Sequence, residues 1–441
     1  MSGFLVQYGV ANPYSGIHRI RREGNRKMTV WVIIVVLVIA ACVAGGIYLT
    51  AAVGRWGGIR TLSHGKTWLR RLMSIGLIAV FFLTFTLTLR LVNAVIIYLH
   101  VIAFFLLSGL VLRLIRFLRN SKPEDPKEKE NEGKSAKKTK AGSAGKGNSG
   151  IKVSASGKVT KVKTERTGHL YWQGWLALIY SVLYLGVAYY LCVNVWQTDY
   201  SLQTDKSIGT LKVAMLADSH IGATFDGNGF GEHMQNIMKQ NPDIILIPGD
   251  FVDEGTSRED MVTACAALGK IHPKYGVYFS YGNHDKGQYG YNNREYTAEE
   301  LDAELRKNGV HVLEDELEYP DDNLCIVGRK DASRDSDRKP LEEILKDVDE
   351  SKYIIVMDHE PRDYELESQT AADLVVSGHT HGGQFFPVTY LGEWFGINDR
   401  VYGYEKRNNT EFIVTSGIAD WQLVFKTGTK SEYDIIEIKG K

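Results

Sequence analysis

The chain has 441 residues and a formal net charge of +0, with 52 Lys and Arg side chains balanced by 52 Asp and Glu side chains. The balance conceals an asymmetry: residues 198–441 hold 45 acidic and 25 basic side chains, a net charge of −20, so residues 1–197 carry +20. The acidic part is not expected to bind nucleic acid, because a phosphate backbone requires positive charge. Its length is sufficient for a globular domain with its own core.

Long apolar segments dominate the first 112 residues. Residues 29–52 carry no charge and are long enough to cross a hydrocarbon core of about 30 Å as a helix. Residues 72–112 contain a single Arg, Arg90, and predict two spans, 72–89 and 92–112, that turn near it. We therefore expect an N-terminal tail followed by an all-α transmembrane region.

A last apolar segment, 169–197, directly precedes the acidic part. Trp172 and Trp175 lie near one end and Trp196 near the other, as side chains at the two membrane interfaces would. Because several apolar segments follow the first one, a cleavable signal peptide fits poorly. These segments predict a multi-pass protein of the cell membrane, in contact with membrane lipids.

The stretch between the apolar segments, 113–168, predicts a basic disordered linker. Residues 113–166 carry sixteen Lys and Arg against six acidic side chains and are rich in Ser and Gly. The positive-inside rule places such a segment in the cytoplasm, as a solvated spacer or in contact with anionic lipid. One span follows, so domain 198–441 is expected on the extracytoplasmic side. Five basic residues before Met28 oppose this topology, and a translation start at Met28 would remove them.

Short β-rich segments alternate with helical patterns in 198–441, which indicates a layered α/β domain. The pattern predicts helices over 229–240, 257–270, 297–308, 340–348 and part of 361–372. It predicts strands over 211–216, 243–247, 277–281, 324–327, 353–356, 374–376, 412–415 and 433–438.

Polar residues of similar type follow five of these strands. Ligands of α/β sheets bind beyond the carboxyl ends of the strands, so the five segments can converge on one site. Each segment alone has an ordinary explanation as a cap, a turn or a structural polar pair. Together they offer seven nitrogen and oxygen ligands: Asp218, His220, Asp250, Asn283, His359, His379 and His381.

Seven mixed ligands are too many for one tetrahedral ion and suit two divalent ions, with Mn²⁺, Fe²⁺/Fe³⁺ and Zn²⁺ as alternatives. Two ions about 3.5–4 Å apart can activate water and stabilise charge in a displacement at phosphorus. His284, next to Asn283, is then suited to protonate the leaving group. Asp253 could orient that imidazole.

The combined pattern resembles the calcineurin-like metallophosphoesterase family, over about residues 210–440. The matching motifs are Asp218–His220, Gly249–Asp253, Gly282–Asp285, His359 and Gly378–His381. The resemblance implies a two-sheet β-sandwich flanked by helices and a binuclear metal centre. By resemblance, one ion is bound by Asp218, His220, Asp250 and His381, and the other by Asp250, Asn283, His359 and His379. It also implies His284 as the proton donor and Asp253 as its partner.

The extension Gly382-Gly383-Gln384 is similar to a membrane-anchored bacterial branch that includes UDP-2,3-diacylglucosamine hydrolases. The expected function is therefore hydrolysis of a phosphate ester, with a lipid-linked ester as one possibility. A pyrophosphate hydrolase of the UDP-diacylglucosamine type and a non-catalytic metal or ligand sensor are the alternatives. The aromatic stretch 385–395 is either a lid at the membrane or part of the core, and nothing in the sequence predicts an oligomeric state.

Overall fold

The computed structural model describes residues 14–120, 151–153, 159–161, 171–287, 294–386 and 388–441. The chain forms two compact units, Met1–Val182 and Leu183–Lys441. The first contains helices α1 (Tyr14–Val53), α2 (Gly57–Leu62) and α3 (Thr67–Asn120), and the first half of α4 (Trp172–Val193).

Helix α3 is broken at Arg90, whose backbone has φ 67° and ψ 163°. The rings of Phe82 and Tyr98, eight residues to either side of the break, have centroids 5.7 Å apart. The two halves of α3 therefore fold back on each other. By length and composition α1, α3 and α4 could each cross a membrane.

Within the expected linker 113–168, α3 continues to Asn120. Strands β1 (Ile151–Val153) and β2 (Val159–Lys161) form a short antiparallel pair in the same range. The remaining linker residues, for which we expect disorder, lie outside the described part of the chain.

Within the second unit, the second half of α4 passes almost directly into a strand. It ends at Val193, and strand β3 (Val195–Gln203) begins two residues later. Trp196, expected at the end of the last span, therefore lies on a strand, and the expected domain boundary at 198 falls inside β3. The apolar run of the helix continues into the strand, so hydropathy does not separate the two.

Two six-stranded sheets form the centre of the second unit. One has the order β3-β14-β4-β5-β6-β7 and the other β12-β13-β11-β10-β9-β8. The strands of the first sheet are β3, β4 (Thr210–Met215), β5 (Ile244–Pro248), β6 (Val277–Ser280), β7 (Val310–Leu313) and β14 (Ser431–Lys439). Those of the second are β8 (Glu316–Asp321), β9 (Leu324–Gly328), β10 (Tyr353–Met357), β11 (Leu374–Ser377), β12 (Gly403–Arg407) and β13 (Thr410–Val414).

The sheets pack face to face through an apolar cluster. Met215 and Leu246 of the first sheet and Ile355 and Val376 of the second belong to it, and all four are fully buried. Neighbouring strands β4, β5 and β6 are parallel, as are β9, β10, β11 and β13, so their buried residues form nearly continuous apolar runs.

Helices cover the outer faces of both sheets. Phe230 and Met261 belong to the cluster on the first sheet, and Leu341 and Tyr364 to the cluster on the second. The predicted fold, two sheets flanked by helices, is confirmed. The covering helices are α5 (Gly227–Met238), α6 (Arg258–Leu268), α7 (Ala298–Lys307), α8 (Leu341–Leu345) and α9 (Tyr364–Glu367), and α10 (Leu391–Trp394) follows β11.

Candidate metal centre

The seven predicted ligands lie where strands of both sheets end. Asp218 and His220 follow β4, Asp250 follows β5, and Asn283 follows β6. From the second sheet, His359 follows β10, and His379 and His381 follow β11. Since parallel strands present their carboxyl ends at the same edge, the fold brings together residues up to 163 positions apart.

Asp218, His220 and His381 form one group whose ligand atoms all lie within 4.8 Å of one another. Nε2 of His381 is 3.7 Å from Oδ1 of Asp218. The rings of His220 and His381 are stacked with centroids 5.1 Å apart. One carboxylate and two imidazoles are a donor set suited to a divalent transition metal.

Asp250, His359 and His379 form a second group within the same distance limit. Oδ1 of Asn283 lies 2.9 Å from Nδ1 of His379 and 3.2 Å from Nε2 of His359. Nδ1 of His359 lies 2.9 Å from the carbonyl oxygen of Pro248. If Nδ1 donates its proton to that carbonyl, Nε2 of His359 is free to bind a metal.

Asp250 lies between the two groups. Its Oδ2 atom is 3.1 Å from Nε2 of His359 and 3.7 Å from Nε2 of His220. One carboxylate oxygen is therefore close to an imidazole of each group, the position of a bridging ligand. Burial alone would raise the pKa of Asp250, but the surrounding histidines, above all His359, hold it well below its usual value.

The environment of His220 shows whether the pocket fits a metal. Its side chain is fully buried, and neither ring nitrogen has a hydrogen-bond partner within the described residues. Burial holds its pKa well below the usual value, so the imidazole is neutral. Burial of a neutral imidazole without a hydrogen-bond partner costs free energy unless another group binds its nitrogens, and a divalent cation would do so.

Backbone strain is concentrated in the same loops. A non-glycine residue with positive φ is uncommon and tends to mark functional sites. Five of the seven predicted ligands have φ between 37° and 71°: Asp218, His220, Asp250, His379 and His381.

Two glycines permit the close approach of these loops. A Cβ on Gly282 would lie 2.3 Å from Oδ1 of Asp250, and one on Gly378 would lie 2.5 Å from Oδ2 of Asp218. The glycines of the motifs are therefore required by packing against the carboxylates.

His284, the predicted proton donor, lies beside the first group. Its backbone N–H donates to Oδ1 of Asp250 over 2.8 Å, and its ring is 5.1 Å from that of His220. Nδ1 lies 3.0 Å from Oε2 of Glu254. Burial would lower the pKa of His284, but the neighbouring carboxylates, first among them Glu254, raise it above its usual value.

Asp253 makes different contacts from those the motif suggests. Its Oδ2 lies 3.7 Å from Nδ1 of His220, and its Oδ1 accepts a hydrogen bond from the N–H of Gly255 over 2.7 Å. The carboxylate within hydrogen-bond distance of Nδ1 of His284 is that of Glu254. The sequence motifs did not identify Glu254, although this residue directly follows the Gly-Asp-x-x-Asp motif.

Two further carboxylates support the site. Asp285 accepts hydrogen bonds from the backbone N–H groups of Asp250, Val252 and Gly282, at 2.8, 3.0 and 2.8 Å, and so ties two ligand loops together. Asp420 Oδ1 lies 3.1 Å from Nδ1 of His381. Asp285 belongs to the Gly282–Asp285 motif, whereas Asp420 lies outside all five motifs.

Comparison with known proteins agrees with this geometry. The family model of calcineurin-like phosphoesterases matches residues 211–383. An uncharacterized metallophosphoesterase of Aquifex aeolicus is 33% identical over 201 residues, 43% of this chain and 71% of that protein. The chain belongs to the calcineurin-like metallophosphoesterase family.

Relatives occur in bacteria and in animals. An uncharacterized metallophosphoesterase of Campylobacter jejuni is 30% identical over 238 residues, 52% of this chain and 60% of its own length. A transmembrane protein with metallophosphoesterase domain from Danio rerio is 30% identical over 290 residues, 60% of this chain and 62% of its own length. The chain thus spans about three fifths of these two proteins.

Proposed function

We propose that the chain is a membrane-anchored phosphoesterase that uses two divalent metal ions, and that its catalytic domain is extracytoplasmic. The observation that carries this proposal is the position of Asp250, one oxygen of which is 3.1 and 3.7 Å from an imidazole of each ligand group. Membrane anchoring favours a lipid-linked ester over a freely soluble one.

Two ions bound here would lower the pKa of a water molecule and neutralise charge on the phosphoryl oxygens. Asp218, His220 and His381 would hold one ion, and Asn283, His359 and His379 the other, with Asp250 shared. The raised pKa of His284 keeps its imidazole protonated beside the site, where it can give a proton to the leaving oxygen. Glu254 and Asp253 lie in the loop that packs around this imidazole and that of His220.

The catalytic proposal is tested with the full chain, purified in detergent, acting on p-nitrophenyl phosphate with Mn²⁺. Asp250→Asn and His381→Ala should reduce the rate to background and lower bound metal from about two ions per chain, as intact binuclear sites contain. His272→Ala is the control, since His272 is exposed and lies outside the site. Full activity of both ligand variants would refute the proposal. Absence of metal in the active wild type would do so as well.

The bond that is cleaved distinguishes the two enzymatic alternatives. A phosphomonoesterase releases inorganic phosphate from a simple ester, whereas a pyrophosphate hydrolase releases a nucleoside monophosphate from a UDP-linked lipid. Mass spectrometry of the products from both substrates decides between them. If metal binds but no ester or pyrophosphate is cleaved, the sensor function is favoured.

Topology is tested with sealed vesicles of known orientation. Tyr319 lies on the edge strand β8 and is 47% exposed. In Tyr319→Cys, a membrane-impermeant maleimide should label the chain from the extracytoplasmic side only. Labelling from the cytoplasmic side would reverse the proposed orientation.

A further inference from the structure

Large apolar side chains are exposed shortly after the last metal ligand in the chain. Phe386 is 63% exposed, Trp394 71%, Phe395 74% and Ile397 54%. Tyr390 is 45% exposed, and its ring is tilted by 33° against that of Trp394, with centroids 6.4 Å apart. We call these five side chains the aromatic patch. Such a concentration on a surface marks an interaction site and is unusual for a face in water.

Phe386, the first residue of the aromatic patch, adjoins the last apolar helix. The hydroxyl of Tyr184 on α4 lies 3.4 Å from the carbonyl oxygen of Phe386 and donates to Oγ1 of Thr427 over 3.0 Å. Tyr184, Ala188 and Cys192 are four residues apart and so share one helix face. Contacts from the domain reach the other two as well: the N–H of Lys426 donates to the carbonyl of Ala188 over 3.0 Å, and the Cys192 side chain contacts Asp420.

The depth of this contact follows from helix geometry. Helix α4 has 22 residues, and at 1.5 Å per residue it is about 33 Å long, close to the 30 Å thickness of a hydrocarbon core. Tyr184 lies nine residues before the helix end at Val193, or about 13 Å below it. If α4 spans the bilayer, with Trp172 and Trp175 at the opposite interface, the backbone of Phe386 lies within the outer half of the bilayer.

The charged side chains next to Ala188 and in segment 385–397 are directed inward. Lys426, next to Ala188, is fully buried; its ammonium donates to the carbonyl of Ser416 over 2.7 Å and lies 3.2 Å from Asp420. Glu393 is the one charged residue between 385 and 397, and its carboxylate accepts the N–H of Val401 over 2.8 Å. The outward-facing side chains are therefore mostly apolar or aromatic, as a lipid environment requires.

We propose that the aromatic patch is embedded in the outer half of the lipid bilayer beside α4. Its connection to the metal ligands is short: Phe386 lies five positions after His381, at most about 18 Å of extended chain. The substrate class, which rests on the proposed phosphoesterase function, is then an amphiphile. Its acyl chain stays in the bilayer while its phosphate reaches the site.

Insertion is tested with the full chain in nanodiscs that contain phosphatidylcholine with a photoactivatable diazirine in the acyl chain. After illumination, mass spectrometry should find lipid adducts on the peptide that contains Trp394 and Phe395. The exposed face of α4, including Val187, serves as the internal positive control, and the β8 peptide that contains Tyr319 as the negative control. Adducts on α4 and none at Trp394 or Phe395 would overturn the inference.

Delivery of an amphiphile is tested by the ratio of two rates. The probes are phosphatidic acid in phosphatidylcholine vesicles and p-nitrophenyl phosphate in solution. Phe395→Asp should lower the ratio of lipid to soluble turnover at least tenfold, whereas Tyr319→Asp should leave it unchanged. Equal ratios in the two variants would refute delivery through the patch. If neither probe is hydrolysed, the phosphoesterase function fails, and the crosslinks alone decide whether the patch is embedded.

Discussion

The imidazole of His284 and the carboxylate of Glu254 form a close pair, with Nδ1 3.0 Å from Oε2. The pair lies beside the two groups of metal ligands. Burial lowers the pKa of His284, and among the effects that raise it above its usual value the hydrogen bond to Glu254 is the largest. We therefore propose that Glu254 orients the imidazole of His284, the role that the resemblance implied for Asp253.

Glu254→Gln should lower the pKa of His284. As the proposed proton donor, the imidazole would act in its protonated form, so a lower pKa reduces the active fraction at alkaline pH. We expect the alkaline limb of kcat/KM against pH to move to lower pH, with the acidic limb unchanged. Asp253→Asn is the matched comparison. A shift of the alkaline limb in Asp253→Asn, with none in Glu254→Gln, would show that Asp253 is the partner of His284.

Asp420→Asn should weaken metal binding without removing a ligand. Oδ1 of Asp420 lies 3.1 Å from Nδ1 of His381, and partners that orient a ligating imidazole are typically responsible for about 10–100-fold in metal affinity. Titration of the metal-free chain with Mn²⁺ should show this loss for one of the two ions. Equal weakening of both ions, or of neither, would exclude a specific action through His381.

Gly282→Ala should disrupt the metal centre. The added Cβ would lie 2.3 Å from Oδ1 of Asp250, and overpacking of this kind costs about 1–3 kcal/mol unless the neighbour moves. Both bound metal and activity should fall together. Gly186→Ala is the control, because a Cβ there has no heavy atom within 4 Å in the described structure. Normal metal content in Gly282→Ala would show that the loops can separate at no cost.

Asp434→Asn should stabilise the protein increasingly as pH rises. Asp434 on β14 is fully buried, and burial, followed by the nearby Glu432, raises its pKa well above the usual value. Above the unfolded pKa of about 3.9 the folded chain binds the additional proton, so the wild type loses stability with rising pH. The difference in Tm between variant and wild type should therefore grow from pH 4 to pH 7. Asp322→Asn, at an exposed position, should show no such trend.

Within the second unit, the strands that the sequence failed to predict share one structural property. They are β3, β7, β8 and β12, the four edges of the two sheets. A central strand is buried on both faces and forms a recognisable apolar run, whereas β8 and β12 contain no fully buried residue. Hydropathy therefore identifies the central strands of each sheet but not the edge strands.

The predicted ligands are recognisable in the sequence for a related reason. Polar side chains directly after buried apolar runs, such as Asp250 after β5, stand out in the sequence. Glu254 and Asp420 have no such setting, and only the folded chain shows that they lie beside His284 and His381. Supporting contacts between distant loops depend on tertiary packing, and local sequence patterns do not predict such contacts.

The junction between α4 and β3 has a mechanical consequence. A single residue, Asn194, separates the helix from the strand, and the hydroxyl of Ser431 donates to the carbonyl of Cys192 over 2.6 Å. The second half of α4 therefore belongs to the same compact unit as the two sheets, with no flexible tether between them. For a chain anchored through α4, the catalytic pocket would keep one height and one tilt above the lipid. A phosphate on a long headgroup would then lie beyond the reach of the catalytic pocket. The distance of the phosphate from the membrane would therefore select the substrate.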